Sequence, residues 1–183
     1  MRHMLTGAVI LLAGCATSAI AQDDDTASAQ SQTPPACEGE HYRDFDFWIG
    51  EWRVTDLAGT YQGWNLITAE EGGCLLVEHW TSARGTTGQS YNYYNPGTDE
   101  WRQVWVSGSV VIDYTGGLTE TGSMKLVGEI TTRDGVSAPF TGEWTANADG
   151  TVTQHFEQQD TETGEWAVWF TGVYTREEVD TGD

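Results

Sequence analysis

Residues 88–106 read Gly88-Gln89-Ser90-Tyr91-Asn92-Tyr93-Tyr94-Asn95-Pro96-Gly97-Thr98-Asp99-Glu100-Trp101-Arg102-Gln103-Val104-Trp105-Val106. Two strand-like runs, 88–95 and 100–107, flank Asn95-Pro96-Gly97-Thr98. There Asn initiates a turn, Pro fixes its own φ and Gly supplies positive φ, so the stretch is a hairpin. The same grammar repeats along the chain. Further runs lie at 47–56, 61–69, 73–82, 110–116, 123–131, 138–146, 151–158 and 165–175, separated by turns such as Arg133-Asp134-Gly135 and Asn147-Ala148-Asp149-Gly150. No gap is long enough for a crossover helix and no helical signal interrupts the series, so consecutive strands should pair antiparallel. The expected fold is all-β: an up-and-down antiparallel barrel of about ten strands, a size that encloses a lumen.

Strand alternation sorts the side chains. Trp101, Gln103 and Trp105 share one face of their strand. Leu76, Glu78 and Trp80 share a face, as do Ser90, Asn92 and Tyr94. Neither face of these strands is cleanly polar, and a filled sandwich should sort apolar from polar. Neutral polar and aromatic groups on one face suit a lumen that holds water or a ligand. On this register Glu78, Ser90, Asn92, Gln103 and Gln154 form an inward polar set, and Trp80, Tyr94, Trp101 and Trp105 form flat apolar walls. Together they are the candidate ligand-binding residues.

The chain has 8 Lys+Arg against 28 Asp+Glu, a net charge of −20. Nucleic acid is disfavoured, since it needs clustered basic residues along the phosphate track. The acidity itself reads as solubility.

Met1-Arg2-His3 is followed by an apolar run from Met4 to Ala13 that is too short to cross a bilayer, and the segment 1–21 reads as a signal peptide. Leu12-Ala13-Gly14-Cys15 resembles a lipobox, which would make Cys15 a lipidation site and the lipid the protein's membrane contact. Ala19-Ile20-Ala21 offers ordinary cleavage instead. Residues 22–40 read as a disordered acidic tether, 41–176 as the barrel domain and 177–183 as a frayed acidic tail. The chain is thus expected to be exported, to periplasm or outer membrane as a lipoprotein, or as a soluble periplasmic or secreted protein. In an oxidising compartment Cys37 and Cys74 read as a disulfide.

Phe45-Asp46-Phe47-Trp48-Ile49-Gly50-Glu51-Trp52 resembles the opening strand of a family of small exported bacterial proteins, a domain of unknown function related to the calycins. The likeness continues through Gly73-Cys74-Leu75-Leu76-Val77-Glu78, Ser90-Tyr91-Asn92-Tyr93-Tyr94-Asn95-Pro96, Trp101-Arg102-Gln103-Val104-Trp105-Val106 and Phe170-Thr171-Gly172-Val173-Tyr174-Thr175-Arg176. The resemblance implies a calycin-like barrel, as in lipocalins and fatty-acid-binding proteins, and carries no activity with it. The Trp-Ile-Gly-Glu-Trp core is also similar to that of nitrobindins, which bind haem. A haem iron needs an axial side chain in the pocket, and His155 alternates with Gln154 and Phe156 so as to face out. No cofactor is therefore expected.

Catalysis has little support in the residues. Parity puts His79 and His155 on the face opposite Ser90, which leaves no Ser-His arrangement. His41 with Asp44 and Asp46 lacks a second His for a metal site, so no metal is expected. Glu78 could act as a buried acid or base, and Glu51 or Asp113 could pair with it as in glycoside hydrolysis. The favoured expectation is non-enzymatic binding of a small apolar or amphipathic molecule in the lumen. The alternatives are a barrel enzyme using Glu78, and a cell-envelope interaction module built on a filled barrel.

Overall fold

The structure is a computed structural model and describes residues 37–177. Ten strands follow one another: β1 Gly50–Thr55, β2 Tyr61–Glu70, β3 Leu75–Ser82, β4 Thr87–Asn95, β5 Glu100–Ser107, β6 Val110–Leu118, β7 Met124–Thr132, β8 Ser137–Ala146, β9 Val152–Gln159 and β10 Trp166–Arg176. Each pairs antiparallel with its sequence neighbours, and β1 pairs with β10 through Trp52↔Arg176 to Thr55↔Val173, closing the barrel. The expected fold class is what the chain adopts. Closure removes the exposed sheet edges that an open meander would present. The signal peptide, Cys15, most of the tether and the end of the tail fall outside the described residues.

Alternation places Phe140, Trp144, Val152, Gln154, Phe156 and Tyr174 inside, interleaved with outward residues such as Thr141 and His155. His155 bonds Thr171 Oγ1 at 2.8 Å on the outer wall.

The first strand differs from expectation. Residues 47–49 are not strand; two short 3-10 turns, Glu40–Arg43 and Asp46–Trp48, precede β1. In a 3-10 turn residues i and i+3 eclipse on one side. Phe45 and Trp48, three apart, stack at 4.9 Å with 16° between their planes. Both are fully buried, and Phe45 meets Trp101 and Trp144 edge-on at 5.7 and 5.2 Å. This segment plugs one end of the barrel. Residues 37–40, expected in the tether, belong to it: Cys37 is bonded to Cys74 beside β3, and Arg43 donates to the Gly73 carbonyl. A third short turn, Glu71–Gly73, leads into Cys74.

Candidate functional site

Register builds a polar ladder across the inner wall. Glu78 on β3 lies opposite Ser90 on β4, Asn92 opposite Gln103 on β5, and Gln103 opposite Tyr114 on β6. The side chains bond in that order. Tyr114 Oη donates to Gln103 Oε1, Gln103 Nε2 to Asn92 Oδ1, Asn92 Nδ2 to Ser90 Oγ at 2.9 Å, and Ser90 Oγ to Glu78 Oε2 at 2.6 Å. Every donor points toward Glu78. From the other side Asn65 Nδ2 on β2 donates to Glu78 Oε1 at 2.7 Å. Asn92 also donates to the Leu76 carbonyl at 3.0 Å, and Tyr174 Oη donates to Gln154 Oε1 at 2.7 Å. Buried polar groups are costly without partners, about 1–3 kcal/mol each, so this continuity stabilises an otherwise expensive interior.

Within the barrel lies a cavity of about 180 Å³. Glu78, Gln103 and Gln154 are the amide and carboxyl side chains of its lining. Trp80 and Trp105 flank them, with Tyr114, Phe156, Phe170, Tyr174, Ile112 and Trp169 completing the lining. Trp80, Trp105 and Trp169 also border a wider mouth of about 720 Å³ between the loops around Gly85–Thr87, Ser107–Val110 and Arg133. The lumen therefore has a mouth at the end opposite the Phe45–Trp48 plug.

Trp169 reaches the mouth through a β-bulge. Val168 pairs with Glu157 and Phe170 with Phe156, leaving Trp169 as the extra residue. Two consecutive side chains, Trp169 and Phe170, thereby reach the same cavity. The Trp169 indole is edge-on to Phe140 at 5.5 Å and remains half exposed.

Burial pushes the Glu78 carboxyl up to about 7, against the bonds from Ser90 and Asn65 that pull it down. Burial, aided by the Glu78 charge, drives the Tyr114 and Tyr174 hydroxyls well above their ordinary value, so both are neutral donors.

Of the residues singled out in the sequence, Glu78, Trp80, Gln103, Trp105 and Gln154 line the cavity. Ser90 and Asn92 lie behind it, fully buried in the ladder. Tyr94 and Trp101 do not reach it. Tyr94 is at the plugged end, with its hydroxyl donating to Asp99 Oδ1 at 2.5 Å and its ring edge-on to Tyr42. Trp101 is part of the plug, with Nε1 donating to the His41 carbonyl at 2.9 Å. Parity gave their side of the strand; their height along the barrel decides which end they serve. Glu51 and Asp113 are outside: Glu51 accepts from Trp64 Nε1 and Asp113 pairs with Arg102, so neither can work beside Glu78. Sequence reasoning missed Asn65, which alternates with Gly63 and Ile67 on β2 and was legible by parity. It also missed Tyr114, Tyr174, Phe156 and Phe170, inward by the same rule, and Trp169, which the bulge takes out of alternation. Among the described residues no three His, Cys, Asp or Glu side chains converge as a metal site.

Compared with protein-family models and with curated proteins, the chain finds no match.

Proposed function

We propose that the protein is an exported barrel that binds a small apolar or amphipathic molecule in its lumen without chemical turnover. The observation that carries this reading is the cavity itself: aromatic walls, three polar side chains among them and a mouth at one end. A cavity of about 150 Å³ is enough to hold benzene, whereas drug-sized ligands occupy roughly 300–1,000 Å³. At about 180 Å³ the lumen suits a molecule of single-ring size, or the head of a longer one whose tail leaves through the mouth. Export is supported by the Cys37–Cys74 bond, which persists in oxidising compartments. The resemblance to exported calycin-like proteins points the same way.

A second reading uses the same carboxylate. With its proton equilibrium near neutrality, Glu78 is suited to acid or base work on a bound molecule.

The test is titration of the protein with p-cresol and benzyl alcohol by calorimetry and tryptophan emission, with native mass spectrometry of freshly purified protein. Saturable binding that perturbs the emission of Trp80, Trp105 and Trp169 is expected. No heat, no spectral change and no co-purified ligand would end the binding reading. Conversion of a bound compound, abolished by Glu78→Gln while binding persists, would favour the enzymatic one.

A further inference from the structure

We infer that the lumen takes a small organic cation, an alkyl- or aryl-ammonium, with its charge against the Glu78 carboxylate and its apolar body among the aromatic rings. This rests on the lumen-binding reading and sharpens it to a ligand class.

Three observations carry it. Among the described residues that line the cavity, Glu78 alone can bear a formal charge at neutral pH, and that charge is negative. Its partners, Asn65 and Ser90, are neutral donors, one to each oxygen, and among the described residues no guanidinium or ammonium pairs with it. An ionised carboxylate in an apolar surrounding is costly until a cation pairs with it. The third observation is the wall. Trp80, Trp105, Trp169, Tyr114, Tyr174 and Phe156 surround the same space. Ring faces attract ammonium groups, most strongly where water is excluded. A carboxylate among aromatic side chains suits a cation better than it suits a neutral molecule, and it opposes an anion outright.

The long-range field agrees. A net charge of −20 raises the local concentration of cations. Among the described residues that line the mouth, Arg133 alone is charged, and it opposes this field.

The groups facing Glu78 from the surrounding strands are Asn65 on β2, Ser90 and Asn92 on β4, Gln103 on β5, Tyr114 on β6, Gln154 on β9 and Tyr174 on β10. None is charged at neutral pH, the two tyrosines being held neutral by burial. Proton and cation therefore compete for one carboxylate. For a group titrating at about 7, the ionised fraction falls about tenfold from pH 8 to pH 6, and cation affinity falls with it.

The test uses two matched pairs of probes on the whole protein: benzylamine against benzyl alcohol, and tetramethylammonium against tert-butyl alcohol. Each is titrated by calorimetry at pH 8 and pH 6, with wild type and Glu78→Gln. At pH 8 the cations should bind at least tenfold more tightly than their neutral partners. They should lose about tenfold at pH 6 while the alcohols stay unchanged, as the titration of one carboxylate requires. Glu78→Gln should abolish both the preference for cations over their matched alcohols and its pH dependence. Alcohols binding as tightly as the cations at pH 8 would overturn the inference and leave the lumen-binding reading intact. Absence of binding by all four probes would overturn both. Should the variant fold poorly, the wild-type pH profile of tetramethylammonium, whose own charge is permanent, decides alone.

Discussion

The indole of Trp105 on β5 covers the inward face of Gly88 on β4, where any Cβ would overlap its six-membered ring. Trp80 lies over Gly63 on β2 in the same way. Both rings rest against the barrel wall because a glycine on the next strand leaves room for them. Larger residues would drive the rings inward, and the lumen is the space they would fill.

Gly88→Ala should therefore destabilise the fold by about 1–3 kcal/mol, as overpacking does. It should also weaken binding of ring-sized probes at least tenfold, because Trp105 moves into the cavity. Urea unfolding and calorimetry measure the two effects separately. Unchanged probe affinity in the folded variant would mean that Trp105 does not bound the binding space.

Glu78 sets a pH dependence of stability opposite in sign to that of the exposed carboxylates. Its folded value is raised from 4.5 to about 7, so the stability it contributes is fully present below about 4.5 and is lost as pH rises through 7. A shift of that size corresponds to roughly 3 kcal/mol between the two limits. Asp56, Asp134, Asp149 and Asp160, held low chiefly by local hydrogen bonds in turns, act below that window and lose stability as pH falls. The difference in unfolding free energy between wild type and Glu78→Gln, followed from pH 4.5 to 8.5, isolates the buried group. The wild type should weaken relative to the variant across that range, and a flat difference would contradict the buried carboxyl.

Strand order, hairpin positions and the inward parity of Glu78, Ser90, Asn92, Gln103 and Gln154 were legible because period-two alternation and turn residues are local signals. The plug was harder to read. Phe45-Asp46-Phe47-Trp48 has a strand-like composition, and only the three-residue spacing of its two buried rings distinguishes a 3-10 turn. Position along the barrel axis is not encoded in parity, which is why Tyr94 and Trp101 belong to the plugged end although they share parity with cavity residues. Trp169 depends on a bulge, a one-residue insertion that breaks the alternation used to read the chain.

Trp169→Ala should leave stability nearly unchanged, within about 1 kcal/mol, because the ring is already half exposed. Removing an indole that borders both cavity and mouth should instead speed ligand exchange. Stopped-flow mixing with a bound ring-sized probe should give a dissociation rate at least fivefold above wild type, with little change in association. An equal rate would show that ligands leave by another route.

The Cys37–Cys74 bond acts on the plug and leaves the lumen lining alone. It closes a span of 37 residues that includes Phe45 and Trp48, and its loss frees the unfolded chain by about 4 kcal/mol on the loop-entropy account. The Cys37→Ser/Cys74→Ser double variant should lose about that much stability in urea unfolding. The cavity lining contains no residue from 37 to 49, so the variant, once folded, should bind lumen probes within about twofold of wild type. A folded variant that lost probe binding would show that the plug shapes the lumen from below, and the two ends of the barrel would then have to be treated as coupled.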